Sequence, residues 1–378
     1  MNAALSDIVV IDLSRIYAGP YCTMMLGDLG ATVIKIEQPG KGDDTRQFGP
    51  PYTEDGGESA YYLGLNRNKY SLALDFNKPD DKQRLLQLLK SATVLVENFR
   101  PGTMEKQGLG YETLRELNPG LIYCSISGYG QDGPYRMRAG YDFVAQAESG
   151  MMSVTGEADG EPQRCGSPIG DQAAGMYSCM AVLAALRVRD HTGQGQRIDI
   201  SLLESTISLL GNVSSNYLIS GEEAKRYGNG HPNIVPYQAF QTSDGYIVVT
   251  AGNDRLFQAL CIFLGREDLA NDSRFVTNPL RIRNRYELIP QLQECFLHRT
   301  SEEWLTALRA ASIPCGPINT VSQVFRDPQI QARGLVWECE HPTAGTIKLA
   351  GSPLRLSETP TRLYKAPPLL GEDNEKVF

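Results

Sequence analysis

The sequence predicts an α/β protein built on a doubly wound parallel sheet, together with a smaller α+β domain. Three observations support this prediction. Short apolar, β-branched segments alternate with helical segments over roughly the first 200 residues. The strands are separated by helical segments long enough to serve as crossovers, so neighbouring strands are expected to be parallel. Near residue 220 the composition changes, and glycine, proline and polar residues become frequent.

The elements of the sheet are predicted in chain order from residue type and spacing. The first strand is predicted at 7–14, because "DIVVIDLS" is short, apolar and β-branched. A helix at 18–31 follows with apolar residues at helical spacing, and "TVIKIEQ" is the second strand. The further predicted elements are a strand at 70–76, an amphipathic helix at 78–92, strands at 93–99 and 121–130, a helix that begins near Asp171, a strand at 196–202 and a long helix at 203–218.

The second half of the chain predicts a different arrangement. Residues 237–252 are expected to form a hairpin, because "SDG" supplies a turn between two strand-like segments. Helices are predicted around 253–264, 281–298 and 301–311, and the proline-rich tail from 346 onward is expected to be extended. The predicted domains are 1–223, the N-terminal part of a large α/β domain; 224–312, a small inserted α+β domain; and 313–378, a return segment that completes the large domain.

Composition excludes several classes of function. The 378 residues are 41% hydrophobic and 21% charged, as in an ordinary globular protein, and the net charge is −8. An acidic chain argues against nucleic acid or an anionic membrane as partner. No run of about 18 apolar residues and no signal peptide are recognised. The eight scattered cysteines and four histidines lack metal-ligand spacing, which predicts reduced thiols in a cytoplasmic protein without a metal site.

The usual ligand signatures of doubly wound sheets are missing from the sequence. "SRIYAGP", after the first strand, lacks the GxGxxG of dinucleotide binding. Neither GxxxxGK[ST] nor GxSxG occurs, which argues against a nucleoside triphosphatase and an α/β-hydrolase. Ligands of such sheets bind beyond the carboxyl ends of the strands. The segments 15–20, 98–102 and 127–134 are therefore expected at a binding site.

Asp171 is a candidate functional residue because its neighbours in the sequence are small. These neighbours are Gly166, Gly170, Ala173, Ala174 and Gly175. Aspartate is a favoured helix N-cap, so capping is the simpler interpretation of the local sequence. The second interpretation is a nucleophile, because small neighbours would admit a bulky group and a helix N-terminus favours the ionised carboxylate by about 0.3–1 kcal/mol. The local sequence leaves both interpretations open.

Four stretches together resemble the class III coenzyme A transferases. They are 10–46, 66–76, 96–135 and 193–205, and "GDDTR…FGP" with "GNGHPNIVPYQAF" looks closest to the formyl-CoA or acetyl-CoA:oxalate and succinyl-CoA:dicarboxylate enzymes. The resemblance covers nearly the whole chain. It implies a Rossmann-like large domain, an interlocked homodimer, and coenzyme A thioesters and small carboxylic acids as substrates, with no prosthetic group.

The resemblance also assigns roles to residues. It implies that Asp171 attacks an acyl-CoA, forms a mixed anhydride and then an aspartyl-CoA thioester, which the second acid converts back. The glycines and alanines around Asp171 would leave room for the acyl groups and the thiol. A loop with Gly228, Gly230 and His231 would contact the substrate or its oxyanion, although a domain linker is an equal interpretation. The implied coenzyme A contacts are Tyr17, Ala18, Leu74, Asp75, Phe76, Asn77, Asn98, Phe99, Arg100, Lys106 and Tyr141.

Two alternatives to a transferase remain. α-Methylacyl-CoA racemases of the same fold carry histidine where this chain has Tyr141, and a tyrosine with a pKa near 10 is a poor proton shuttle at neutral pH. A non-catalytic acyl-CoA binding protein would keep the ligand loops but tolerate loss of Asp171. Tyr17 stands in place of the glutamine of the formyl-CoA enzyme, which argues against formyl-CoA. The expected substrates are oxalate with acetyl-CoA, or a C4–C6 dicarboxylate with succinyl-CoA.

Overall fold

The computed structural model describes residues 3–53 and 57–376, and a six-stranded parallel sheet forms the centre of its first unit. The parallel sheet predicted from the sequence is therefore confirmed. Its strands are β1 (Val9–Asp12), β2 (Thr32–Glu37), β3 (Lys69–Ala73), β4 (Val94–Glu97), β5 (Ile122–Ser127) and β6 (Arg197–Ser201). They lie in the order β3-β2-β1-β4-β5-β6, and every neighbouring pair is parallel.

The strand order determines where a ligand site is expected. It reverses between β1 and β4, and the carboxyl ends of two such strands flank a crevice in doubly wound sheets. Alternate residues of these strands point to opposite faces, so that Val10 and Ile11 belong to two separate apolar cores. Both faces of the sheet are covered, so most residues of the central strands β1, β4 and β5 are apolar.

Helices of the first unit connect and cover these strands. They are α1 (Ala18–Asp28), α2 (Ala60–Leu63), α3 (Pro79–Ser91), α4 (Thr103–Lys106), α5 (Tyr111–Leu117), α6 (Asp142–Glu148), α7 (Ile169–Thr192) and α8 (Leu202–Ser208). The sequence predictions missed α2, α4, α5 and α6. Each has only four to seven residues, which is too short for a helical period to be recognised.

α7 is the longest of these helices. Its length and composition would also allow it to cross a membrane, but half of its most apolar 18-residue window is buried inside the structure. Core helices of globular proteins commonly meet the same test. The buried side includes Val182, Ala185 and Leu186, which pack into the core on one face of the sheet.

The long helix predicted at 203–218 is in fact two helices. α8 ends at Ser208 and α9 (Asn212–Ser220) follows, with Gly211 between them at a φ of 54°. This left-handed conformation favours glycine and ends the regular helix. The second unit comprises Met152–Arg164 and Gly211–Asp327, so its bounds are wider than the 224–312 predicted for the small domain.

The second unit combines an antiparallel sheet with short helices. The predicted hairpin is confirmed as β7 (Tyr237–Gln241) and β8 (Tyr246–Thr250), and β9 (Cys315–Pro317) pairs with β8. The helix predicted at 281–298 is interrupted at Asn284, whose backbone lies outside helical geometry. The helices after α9 are α10 (Asp254–Phe263), α11 (Glu267–Asn271), α12 (Asn278–Arg283), α13 (Arg285–Phe296), α14 (Ser301–Ala310) and α15 (Val321–Val324).

The C-terminal segment returns to the first unit at Pro328. It contains α16 (Pro328–Ala332) and a hairpin of β10 (Val336–His341) and β11 (Gly345–Ala350). The tail after β11 supplies hydrogen-bond partners to the edge strand β3: the Ser71 N–H donates to the buried Asp373 carboxylate at 3.0 Å, and the Ala73 N–H donates to Asn374 at 2.9 Å. The tail therefore protects an otherwise open sheet edge. Residues 377 and 378 of the predicted tail lie outside the described residues.

Candidate active site

A cavity of about 400 Å³ opens beyond the carboxyl ends of β1 and β4, within the first unit. Its walls come from the loops that follow β1, β4 and β5 and from the first turn of α7. An adjoining cavity of about 150 Å³ shares Arg15 and Phe99 with it. The larger cavity is lined by seven of the predicted site residues, namely Tyr17, Ala18, Asn98, Phe99, Arg100, Tyr141 and Asp171. The smaller one is lined by four more, namely Leu74, Asp75, Phe76 and Asn77.

The remaining predicted site residues lie elsewhere. Lys106 is exposed at the end of α4 and is not among the described residues that line either cavity, although the neighbouring Gln107 donates to Asn77 at 2.9 Å. Gly228 and Gly230 line a cavity of about 480 Å³ in the second unit. The His231 Nδ1 in the same loop accepts a hydrogen bond from the Asn233 N–H at 3.0 Å, and burial together with the Arg285 charge lowers the pKa of His231. The substrate role of this loop stays a prediction.

The loops after β1 and β4 are held together by one asparagine. The Arg15 N–H donates to the Asn98 Oδ1 at 2.8 Å, and the Asn98 Nδ2 donates to the Arg15 carbonyl at 2.7 Å. The next loop residue is fixed by Glu97, whose buried carboxylate accepts the Phe99 N–H at 2.8 Å. Burial raises the pKa of Glu97 to about 7. These contacts hold the cavity wall in position before any ligand binds.

A buried polar network lies beneath the loop after β1. The Asp12 carboxylate, fully buried, accepts hydrogen bonds from Ser14 N–H at 2.9 Å and Thr23 Oγ1 at 2.7 Å, and pairs with Lys69 at 3.1 Å. A second buried pair joins Lys35 to Asp43 at 2.8 Å. This network was not predicted from the sequence. Part of the signal was present, because Asp12 and Lys35 are charged residues within segments that are mostly apolar and β-branched.

Asp171 is the third residue of α7 and lines the cavity, so the capping interpretation is wrong. Pro168 occupies the N-cap position, and the N–H groups of Gly170 and Asp171 donate to the Asp142 Oδ1 at 2.8 and 3.3 Å. In the described part of the chain, the half-buried Asp171 carboxylate accepts no hydrogen bond. It is therefore available to a ligand in the cavity.

The surroundings of Asp171 favour its protonated form. Burial and the negative charge of Asp142 raise the pKa of Asp171 to about 7. Two tyrosines also interact with it electrostatically: Tyr17, whose hydroxyl accepts from Gln172 at 3.0 Å, and Tyr61, whose pKa burial raises to about 12. Their rings lie 5.9 Å apart, edge to face. Tyr61 was missed from the sequence, because it lies in the unrecognised helix α2.

The small residues around Asp171 mainly allow other elements of the fold to pack closely against α7, and do not leave room for a substrate. A Cβ on Gly170 would lie 2.6 Å from the Thr206 Oγ1, and a Cβ on Gly175 would lie 2.7 Å from the Ala18 carbonyl of α1. Ala173 and Ala174 are buried. The expectation that these four residues leave room for substrate is therefore wrong. Around Gly166, by contrast, the space for a side chain is open.

The chemistry available here is that of a carboxylate beside cationic groups. Arg15, Arg100 and Arg138 line the same cavity as Asp171, and guanidinium groups suit phosphate. Across residues 3–53 and 57–376, no cluster of three or more histidine, cysteine, aspartate or glutamate side chains is arranged to hold a metal ion. The cavity can thus accept an extended anionic ligand and present a potential nucleophile to it.

Comparison with known proteins gives a consistent picture. A family model described as CoA-transferase family III matches residues 5–374. The chain is 47% identical over 374 residues to succinyl-CoA:glutarate CoA-transferase of Homo sapiens, covering 99% of this chain and 85% of that protein. It is 38% identical to acetyl-CoA:oxalate CoA-transferase of Acetobacter aceti, covering 93% and 88%. A CAIB/BAIF family protein from Brucella suis has a similar crystal structure, with a TM-score of 0.87, 42% identity, and coverage of 99% and 98%.

Proposed function

Since this chain belongs to CoA-transferase family III, we propose that it moves coenzyme A from succinyl-CoA to a dicarboxylic acid of the glutarate type, through a thioester on Asp171. The observation that carries the proposal is the position of Asp171. It lines the cavity at the switch point of the sheet, where doubly wound proteins bind ligands, and no side chain among residues 3–53 and 57–376 pairs with its carboxylate. The higher identity to the glutarate enzyme favours glutarate over oxalate, which is the second candidate acid.

The proposed reaction consists of four exchanges at carbonyl carbons. The Asp171 carboxylate attacks the succinyl-CoA carbonyl, the C–S bond breaks, and a mixed anhydride and the CoA thiolate result. The thiolate attacks the aspartyl carbonyl, which releases succinate and leaves aspartyl-CoA. Glutarate then attacks this thioester and displaces the thiolate, and the thiolate attacks the glutaryl carbonyl to restore Asp171. Overall one CoA thioester is exchanged for another of similar energy, so ATP is not consumed.

Coenzyme A is proposed to lie across both cavities. The smaller one is lined by Leu74 and by the rings of Phe76 and Phe99, which pack edge to face at 6.0 Å. This apolar and aromatic wall suits the adenosine. Arg15 is shared by both cavities and has an exposed guanidinium that suits the phosphates. The pantetheine arm would then extend to Asp171 in the larger cavity. Contact by Lys106 stays a prediction of the family resemblance.

A covalent trap tests the nucleophile. After incubation with succinyl-CoA and quenching, tryptic peptide 165–187 is expected to carry a CoA adduct, or a hydroxamate after hydroxylamine treatment. Mass spectrometry of the fragments should place the modification on Asp171. Free coenzyme A without an acyl group serves as the control and should leave the peptide unmodified. Modification of a different peptide would contradict the assignment of Asp171.

A substrate panel tests the acids. Succinyl-CoA with glutarate should give the highest kcat/KM, ahead of acetyl-CoA with oxalate, when products are identified by mass spectrometry. A racemase would instead exchange the α-hydrogen of a 2-methylacyl-CoA for deuterium in heavy water, and no exchange is expected. Faster transfer to oxalate than to glutarate would overturn the proposed acid.

We also propose that the protein is a cytoplasmic homodimer, as the family resemblance implies. The eight free cysteines fit a reducing compartment. One face of α7 exposes Met180 (53%), Leu183 (37%) and Val188 (48%), an apolar surface that a second copy would cover. Sedimentation at micromolar concentration should give twice the mass of one chain. Met180→Asp should shift the sedimenting mass toward that of the monomer, and Met180→Leu should not. If the unsubstituted protein sediments as a monomer, the dimer is excluded.

A further inference from the structure

Asp142, at the start of α6, makes an unusual contact with α7. Its Oδ1 accepts the N–H groups of Gly170 and Asp171 at 2.8 and 3.3 Å, so a side chain from another helix caps the first turn of α7. The N–H that belongs to Asp171 itself is one of the two donors. The cap therefore fixes the backbone of the residue whose side chain lines the cavity.

The surrounding residues hold Asp142 in this position. Its Oδ2 accepts from the Gln146 Nε2 at 2.7 Å, and the fully buried Gln146 accepts the Cys165 N–H through its Oε1 at 2.9 Å. A Cβ at Gly170 would lie 3.0 Å from the Asp142 Oδ1 and 2.6 Å from the Thr206 Oγ1, so a larger residue would crowd this cap. One chain of hydrogen bonds thus connects the segment before α7, the helix α6 and the first turn of α7.

We propose that Asp142 is a positioning residue for Asp171: it caps α7, sets the backbone of Asp171, and through its negative charge keeps the Asp171 carboxylate strongly nucleophilic. This inference rests on the proposed function. A free helix N-terminus would stabilise the Asp171 anion and weaken it as a nucleophile. Asp142 accepts hydrogen bonds from those N–H groups and adds a like charge nearby. Both effects destabilise the Asp171 anion and so make it a stronger nucleophile.

The groups that face Asp171 make Asp142 the dominant charge in this environment. Tyr17, in the loop before α1, and Tyr61, on α2, interact with Asp171 and are neutral near pH 7 because burial raises the pKa of each. Three arginines, Arg15, Arg100 and Arg138, line the same cavity. The pKa of Asp171 is raised to about 7, first by burial and then by the negative charge of Asp142.

The test is the pH dependence of the first covalent step in Asp142→Asn. This variant keeps an amide oxygen that can accept the two N–H groups, but it removes the charge and the hydrogen bond that Oδ2 accepts from Gln146. Single-turnover formation of the adduct on peptide 165–187 should still occur, with the midpoint of its acid limb shifted down by about one pH unit. The plateau rate should fall about 3- to 10-fold, because a less basic carboxylate is a weaker nucleophile. In Asp142→Ala, which also removes the cap, the plateau rate of adduct formation should fall at least about 100-fold.

Controls separate this inference from the proposed function. Glu148→Gln removes an exposed carboxylate on the same helix α6 and should leave the midpoint unchanged. If the unsubstituted enzyme forms no adduct, the proposed function fails. If the adduct forms but Asp142→Asn has an unshifted midpoint, the positioning role fails. Carbodiimide labelling of Asp171 against pH, read on the same peptide, should show the same downward shift without turnover, and an unchanged labelling midpoint would also overturn the role.

Discussion

Asp171→Asn should lower kcat for transfer from succinyl-CoA to glutarate by at least about 10³-fold, because the amide has nearly the same shape but cannot form the anhydride. Coenzyme A binding should stay within about threefold, because its proposed contacts lie on other loops. Steady-state formation of glutaryl-CoA measures the first quantity, and calorimetric titration with coenzyme A measures the second. A change of this size in kcat alone distinguishes a nucleophile from a binding group.

Two comparisons test whether the loss of kcat comes from misfolding of the variant instead of loss of the nucleophile. Asp190→Asn makes the same substitution at an exposed position of the same helix and should keep turnover within about twofold. The raised pKa of Asp171 means that its contribution to stability is largest below pH 4 and is lost as pH rises through about 7. Asp171→Asn should therefore unfold at an equal or higher temperature than the unsubstituted protein at pH 8. Retained transfer in a folded Asp171→Asn variant would exclude the covalent route.

The parts of the site that the sequence predicted are those set by strand order. The loop with Tyr17 follows β1 and the loop with Asn98 follows β4, and residues at adjacent carboxyl ends of parallel strands converge without further information. Family resemblance added Leu74 and its neighbours after β3, and they do line the adjoining cavity. Periodicity and topology suffice for the loops after β1 and β4, whereas the residues after β3 required the resemblance.

The parts that were missed depend on contacts between distant segments. The Asp142 cap joins residues 28 positions apart, and no local pattern distinguishes a self-capped helix from one capped by a neighbour. The small residues within α7 were misinterpreted for a related reason: glycine permits both ligand access and close packing, and only the neighbour's position decides between them. The Thr206 and Ala18 atoms that crowd Gly170 and Gly175 come from other elements of the fold.

The same distinction applies to the buried charges, whose partners are set by the fold. Asp12 contacts Ser14, Thr23 and Lys69, and the Ser14 carbonyl in turn accepts from the Lys35 Nζ at 2.9 Å. The backbone N–H of Ile16, which has a φ of 71°, donates to Asp43 at 3.2 Å. A β-branched residue rarely adopts this conformation, so the network holds the loop in a strained form directly beside the cavity.

Asp12→Asn should therefore destabilise the first unit by about 3–5 kcal/mol, because it leaves the fully buried Lys69 without its opposite charge. Hydrogen exchange of peptides that span β1 and β3, measured against urea concentration, reports this free energy. The loop after β1 should also lose its position, so that coenzyme A binds at least about tenfold more weakly. Asp28→Asn removes a different buried carboxylate, paired with Arg67, and should destabilise the same unit with a smaller effect on coenzyme A affinity.

The strongest form of this prediction compares single and double substitutions. The double substitution Asp12→Asn with Lys69→Met should lower the free energy of unfolding less than Asp12→Asn alone. Removing both members of this pair leaves neither charge without its partner in the core. Glu338→Gln breaks the exposed Lys348 pair of the β10–β11 hairpin and should cost less than about 1 kcal/mol. If Asp12→Asn costs no more than Glu338→Gln, the buried network does not support the loop. If the double substitution restores stability but not coenzyme A affinity, the network acts on the site through the position of the loop, independently of overall stability.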